Sequence, residues 1–146
     1  RVPFIVSWKS RISPRVIDAP VTSMDATTTA LALASGAATP VHDVAPAADK
    51  SVRPTPALDG ANLLPLLTSK RTELPDRTLF WRVGMKSALR NGDWKLIRDG
   101  KEWRLYDLTH DISETRNLAT QEPARVQQMS ALWDKWNAEQ IDPLWK

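Results

Sequence analysis

Three acidic side chains near the end of the chain are spaced closely enough to bind a cation together. Asp107, Asp111 and Glu114 follow one another at intervals of four and three residues, and carboxylate oxygens are the ligands that calcium and magnesium prefer. The segment lacks the glycine-containing loop of an EF-hand, and Asp side chains commonly bond backbone N–H groups in turns. We therefore interpret these carboxylates as groups that stabilise a turn.

Other residues with catalytic potential are few. The chain has no cysteine and two histidines, so it offers no thiolate nucleophile and no thiolate metal ligand. His42 lies in a Pro-rich stretch and His110 lies in a turn, each without an evident second ligand. Isolated histidines of this kind are mostly ordinary surface residues. We predict no catalytic residue and no metal ligand in this chain.

A cluster of basic residues is the main candidate for a binding function. Eight Lys or Arg and three acidic residues lie from Arg77 to Arg104. This excess of positive charge would attract an anionic substrate, but it also suits a solvated sheet face, where Lys and Arg protect the edges from strand pairing. We favour the solvated face. If the cluster faces an anion, Arg82, Lys86 and Arg90 are the candidate substrate-binding residues.

The composition limits the class of protein. A chain of 146 residues with 42% hydrophobic and 25% charged residues can form a core and is not disordered. It has no apolar run near the ~18–20 residues that a membrane span needs, and its net charge of +3 is low for a nucleic-acid-binding domain. Tryptophans expected in the core are Trp81, Trp94, Trp103, Trp133, Trp136 and Trp145. An exposed one on the sheet could instead stack on a sugar ring.

The N-terminal part has the pattern of a strand followed by a helix. The apolar run at residues 2–8 is typical of a strand buried on both faces. Ser23 as N-cap and Gly36 just after the end predict a short helix over residues 23–35. Residues 37–57 are rich in Ala and Pro, which predicts an extended linker.

The second half predicts a sheet and a helix. Strand-like runs occupy residues 78–83, 85–90, 93–98 and 102–108. Asn91-Gly92 and Asp99-Gly100 separate successive runs, and such pairs are strong hairpin signals, so we predict a four-stranded antiparallel meander over residues 77–108. A helix over about residues 123–140 is predicted from apolar residues at spacings of three and four, namely Val126, Met129, Trp133 and Trp136. This stripe should pack on the meander, which gives an α+β fold.

Five short motifs then occur in a fixed order. They are Arg1-Val2-Pro3 before an apolar run, Ser23-Met24-Asp25 with Thr29 and Leu31, Leu58-Asp59-Gly60 with Leu63-Leu64-Pro65-Leu66-Leu67, Ala88-Leu89-Arg90-x-Gly92-Asp93-Trp94-Lys95-Leu96, and Leu105-Tyr106-Asp107-Leu108 with Asp111, Glu114 and Asn117-Leu118. In this order they resemble the C-terminal part of the type I sulfatases (the arylsulfatase family of the alkaline-phosphatase-like superfamily). The chain departs from that pattern at Thr28, where the family usually has Pro. No His or acidic residue follows Phe80-Trp81, where relatives often place substrate-contacting side chains.

The resemblance implies a domain organisation. Residues 1–36 would be a strand-helix remnant of the large α/β catalytic domain, and residues 37–57 the linker. Residues 58–146 would form the C-terminal α+β subdomain, with the four-stranded antiparallel sheet packed against the C-terminal helix. The remainder of the catalytic domain is then the implied partner, and neither nucleic acid nor a membrane span is expected.

The resemblance also implies an activity for the parent protein. Sulfatases hydrolyse sulfate esters, for example of a sulfated carbohydrate, with a formylglycine made from Cys or Ser in a Cys/Ser-x-Pro-x-Arg motif beside a Ca²⁺ ion. This chain has no such motif, so we expect it to hold no cofactor and to be inactive alone. The family suggests a periplasmic or secreted location. The alternative is a non-catalytic polyanion-binding or interaction module with the same fold.

Overall fold

The structure is a computed structural model that describes residues 2–34 and 58–141. The chain divides into two compact units, residues 1–75 and residues 76–146. The predicted linker, the predicted helix end at Gly36 and His42 lie outside the described residues.

The first unit is built on helix α1, Ser23–Ala34. The carboxylate of Asp25 accepts a hydrogen bond from the backbone N–H of Thr22 at 2.7 Å. A carboxylate at the third helical position that reaches back in this way is half of a capping box. The N-cap is therefore Thr22. The predicted N-cap, Ser23, is the first residue of the helix.

Helix α1 holds the following segment through polar side chains. The second oxygen of Asp25 accepts the N–H of Ala61 at 2.8 Å, and the Thr29 hydroxyl accepts the N–H of Leu63 at 2.9 Å. Gly60 lies so close that an added Cβ would be 2.3 Å from the backbone oxygen of Met24. A short helix α2, Leu64–Leu67, follows. These bonds hold the segment after Gly60 against α1, and residues 58–75 belong to the first unit.

The predicted strand at residues 2–8 is absent from the structure. These residues have no regular secondary structure, and Val2 and Ile5 are each 87% exposed. A strand buried on both faces needs neighbouring strands and covering layers. In the described part of the chain no strand pairs with residues 2–8, so a strand formed there against further parts of the protein stays a prediction.

The second unit contains the predicted meander. Its strands are β1 Thr78–Val83, β2 Lys86–Asn91, β3 Trp94–Asp99 and β4 Trp103–Asp107. They pair antiparallel in the order β1-β2-β3-β4. Gly92 and Gly100 in two of the turns have φ of 58° and 91°, the left-handed conformation that these hairpin turns require. The α+β fold is completed by helix α3, Pro123–Ala138.

Helix α3 covers one face of the sheet, as its apolar stripe predicts. Leu89, Leu96 and Leu105 pair directly across three strands and are fully buried against Met129 and Trp133. Aromatic contacts extend this core. Phe80 stacks on Trp136 with ring centroids 4.9 Å apart, and Trp103 meets Trp133 edge to face at 5.9 Å.

This core predicts a specific loss of stability. Leu96→Ala should lower the free energy of unfolding of the second unit by about 2–5 kcal/mol, because it opens a cavity in a closed core. Val83→Ala is the control, since Val83 is 76% exposed and should change stability by no more than about 0.5 kcal/mol. Urea titration followed by tryptophan fluorescence measures both, because five of the six tryptophans that the structure describes lie in this unit. Equal losses would contradict the assigned core.

Candidate functional site

The register of the strands decides which basic residues share a face of the sheet. Directly paired residues point to the same face. We call the face covered by α3 the helix face, and the other one the opposite face. The opposite face carries three cross-strand rows, which are Val83-Lys86-Asp99, Trp81-Ala88-Ile97-Arg104 and Leu79-Arg90-Lys95-Tyr106.

Arg82 belongs to the helix face. It pairs with Ser87, which is buried. Its guanidinium donates to the side-chain oxygen of Asn137 at 2.5 Å and to the backbone carbonyl of Ile141. Arg82 therefore ties β1 to the end of α3 and to the residues just beyond it.

Lys86 and Arg90 lie on the opposite face and also have partners within the protein. The Lys86 ammonium is 3.2 Å from the Asp99 carboxylate, and both side chains are mostly exposed. Arg90 donates to the carbonyl of Gly92 at 2.8 Å and is 3.5 Å from the Asp93 carboxylate. The structure thus does not bring the three candidate residues together, because the sheet separates Arg82 from the other two.

Two residues of the opposite face were not singled out from the sequence as binding residues. Trp81, expected in the core, is 43% exposed, and Arg104 is exposed. Strand alternation contains the signal for Arg104, because Leu105 beside it points into the core and its neighbour must point away. For Trp81 the sequence contains no such signal. Phe80 and Trp81 are both apolar, and alternation alone does not tell which of the two faces the core.

The three carboxylates of the turn after β4 are engaged as the sequence suggests. Asp107 accepts the N–H of Thr109 at 2.9 Å, and its other oxygen is 2.8 Å from the His110 ring. Asp111 accepts N–H groups at 3.1 and 2.7 Å from Thr115 and Arg116. Glu114 contacts the ammonium of Lys95 at 2.5 Å. Asp107 and Asp111 thus bond turn N–H groups, as the interpretation of turn-stabilising carboxylates expects, whereas Glu114 pairs with a lysine of β3.

Hydrogen bonds and nearby charges lower the pKa values of two of these carboxylates. The pKa of Asp107 is lowered, chiefly by the hydrogen bond from His110, and that of Asp111 is lowered, chiefly by the N–H of Arg116. Over residues 2–34 and 58–141, no three His, Asp or Glu side chains group together as a metal site. None of the helices in those ranges is long and apolar enough to cross a membrane.

The first unit has a groove of about 500 Å³. Apolar side chains line it together with the cations of Arg11 and Lys70. Its lining has no carboxylate or imidazole, and its other polar groups are the hydroxyls of Ser10 and Thr68 and the amide of Asn62. The Arg11 guanidinium lies 5.6 Å from the centroid of the Trp8 ring. One of the two cations of the groove is therefore in a cation–π contact.

Comparison with known proteins identifies the class of fold. No protein-family model matches the chain. Ps i-CgsB, also solved in complex with k-i-k-neocarrahexaose, matches with a TM-score of 0.62 and 23% identity over 87% of this chain and 26% of its own. BT33336S-sulf, described with the metabolism of multiple glycosaminoglycans by Bacteroides thetaiotaomicron, matches with a TM-score of 0.69 and 23% identity over 94% of this chain and 29% of its own.

These neighbours are sulfatases. The chain therefore has the fold of a portion of a sulfatase, as its resemblance to the C-terminal part of that family predicts. It spans between a quarter and a third of the length of the structures that it matches.

The contacts of Arg82 predict a structural role. Arg82→Gln should loosen the end of α3, because the shorter amide cannot reach both Asn137 and Ile141. Amide hydrogen exchange should speed up in residues 136–141 and stay unchanged in the strand residues that pair Leu96 with Leu105. Lys86→Gln is the matched control and should leave both regions as they are. Unchanged exchange at the helix end in Arg82→Gln would show that the hydrogen bonds of Arg82 to Asn137 and Ile141 do not stabilise this end.

The hydrogen bond from His110 predicts a pH effect. His110→Ala should raise the pKa of Asp107 towards the ordinary aspartate value of 3.8, because the hydrogen bond that lowers it most is lost. In the native chain the ionised Asp107 stabilises the turn above that pH, and this contribution is lost as pH falls through the lower folded pKa. Carboxyl ¹³C NMR titration measures the shift, with Asp111 as the internal control that should not move.

Proposed function

We propose that this chain is the C-terminal portion of a sulfatase that hydrolyses sulfate esters of carbohydrates. The observation that carries the proposal is the fold match that covers 94% of this chain but 29% of the neighbouring sulfatase. The ordered motifs from Arg1 to Leu118 support it independently of the fold. The carbohydrate class is supported by the neighbours, one of which was solved with k-i-k-neocarrahexaose.

In this proposal the reaction centre belongs to the part of the protein upstream of Arg1. A formylglycine and a calcium ion would supply the nucleophile and the charge that stabilises the sulfate oxygens. This chain has no cysteine, and its clustered carboxylates are bound to turn N–H groups and cations. Its own residues would therefore form a wall of the substrate cleft and attract anions to it.

The first unit supports the presence of a large partner domain. The apolar side chains of Val2, Phe4, Ile5, Val6 and Trp8 are between 40% and 87% exposed, and contiguous exposed apolar side chains are unusual unless a partner covers them. We propose that the remainder of the catalytic domain covers them and that residues 2–8 become a strand there. Residues 1–36 would then belong to that domain, and residues 37–57 would connect it to the following segment.

A non-catalytic polyanion-binding module is the second candidate. The excess of Lys and Arg in the sheet favours it, because that charge does not depend on a reaction centre. The coding sequence upstream of Arg1 discriminates between the two. A Cys/Ser-x-Pro-x-Arg motif there favours the enzyme, and its absence favours the module.

The proposal predicts where activity resides. The chain by itself should not hydrolyse an aryl sulfate, whereas the protein extended upstream should do so and should lose the activity when calcium is chelated. Release of the phenol, followed by absorbance, measures both. Turnover by the chain alone would place a reaction centre within it, and an inactive extended protein that is folded would refute the sulfatase assignment.

A further inference from the structure

The row Trp81-Ala88-Ile97-Arg104 crosses all four strands of the opposite face. Its two outer members are exposed, and its two inner members are uncharged. Three strand spacings separate Trp81 from Arg104, or about 14 Å. The row is therefore a shallow strip with an aromatic ring at one end and a guanidinium at the other.

The neighbour of Trp81 determines how its ring is presented. Ala88, which lies directly opposite on β2, has a methyl side chain that covers little of the indole. The indole is consequently 43% exposed, although other aromatic side chains of this unit, such as Phe80 and Trp133, are packed in the core. Exposed indole faces are the surfaces on which sugar rings and other flat apolar faces stack.

Arg104 differs from the other cations on the same face. Lys86, Arg90 and Lys95 each have a carboxylate within ion-pair distance, contributed by Asp99, Asp93 and Glu114. No carboxylate in residues 2–34 or 58–141 forms such a pair with Arg104. Its guanidinium therefore remains available for the fork-like hydrogen bonding of an oxyanion.

We propose that this row binds a sulfated polysaccharide, with one sugar ring stacked on Trp81 and a sulfate ester held by Arg104. The carbohydrate class rests on the proposed function, whereas the site itself rests on the geometry of the row. A nucleic acid fits less well, because it needs many unpaired cations and the neighbouring cations of this face are already paired. The substrate contact is thereby assigned to Trp81 and Arg104 rather than to Arg82, whose guanidinium is bound to the end of α3.

The test uses this chain, a sulfated hexasaccharide and the same hexasaccharide without sulfate, with binding measured by NMR titration. Trp81→Ala should weaken binding of the sulfated form about 3- to 10-fold through lost stacking. Arg104→Gln should weaken it about 2- to 5-fold at low salt, with the effect fading as salt screens the charge. The unsulfated form should respond to Trp81→Ala and not to Arg104→Gln.

Matched controls separate this site from general surface charge. Trp8 is an exposed tryptophan of the first unit, 41% exposed, and Arg71 is an exposed arginine there. Trp8→Ala and Arg71→Gln should leave binding unchanged. Equal losses in the controls, or wild-type affinity in both test variants, would overturn the proposal. Trp81→Tyr, which keeps a stacking ring, should retain most of the affinity, and the NMR spectrum recorded for the titration shows directly whether Trp81→Ala is folded.

The extended protein separates this inference from the proposed function. Trp81→Ala there should raise KM for a sulfated hexasaccharide and leave turnover of a small aryl sulfate unchanged. If the Trp81→Ala variant keeps the wild-type KM for the hexasaccharide, another part of the protein covers the row. That result overturns this inference and leaves the proposed function standing. An extended wild-type protein without sulfatase activity would overturn the proposed function. Binding by the isolated chain would still show whether the row binds a sulfated saccharide.

Discussion

The burial of one row of leucines under α3 sets the geometry of the second unit. Leu89, Leu96 and Leu105 pair across three strands and have no exposed surface. A shift of one residue in any strand would turn its leucine away from Met129 and Trp133 and lose about 1.5–3 kcal/mol of apolar burial. The hydrophobic core therefore fixes the register, and the register fixes the position of every polar side chain on the sheet.

The same register distributes the basic residues over both faces. Arg82 shares the helix face with the core, where its guanidinium finds Asn137 and the chain beyond α3. Arg98 lies on this face too, with its guanidinium 4.5 Å from the ring centroid of Trp103 and 4.7 Å from that of Trp133. Part of the positive charge of the meander therefore serves packing through cation–π contacts, and the cations of the opposite face are not engaged in this way.

The first unit combines buried apolar side chains with a buried carboxylate. Asp25 is fully buried. One of its oxygens accepts the N–H of Thr22, just before α1, and the other accepts the N–H of Ala61. A buried carboxylate is tolerated only where hydrogen bonds replace its lost water, and here they also fix the segment after Gly60 against the helix. The two sequence motifs that contain Asp25 and Gly60 are thus contact partners, which explains why the sulfatase-like pattern includes both. The apolar side chains at residues 2–8 are exposed in this unit.

Elements with local causes can be predicted from the order of the residues. Asn-Gly and Asp-Gly turns specify hairpins because only certain residues adopt their backbone angles, and spacings of three and four specify the buried stripe of α3. The ordered motifs were sufficient to indicate a sulfatase portion, and the acidic turn after β4 could be interpreted from the chemistry of Asp. Tertiary structure alone decided the rest. Whether Arg82 faces the core, whether Trp81 or Phe80 is exposed and which cations have partners all depend on strand register and on the packing of α3. Residues 2–8 show the same limit, since their apolar pattern fits a strand but a strand forms only where another chain segment bonds to it.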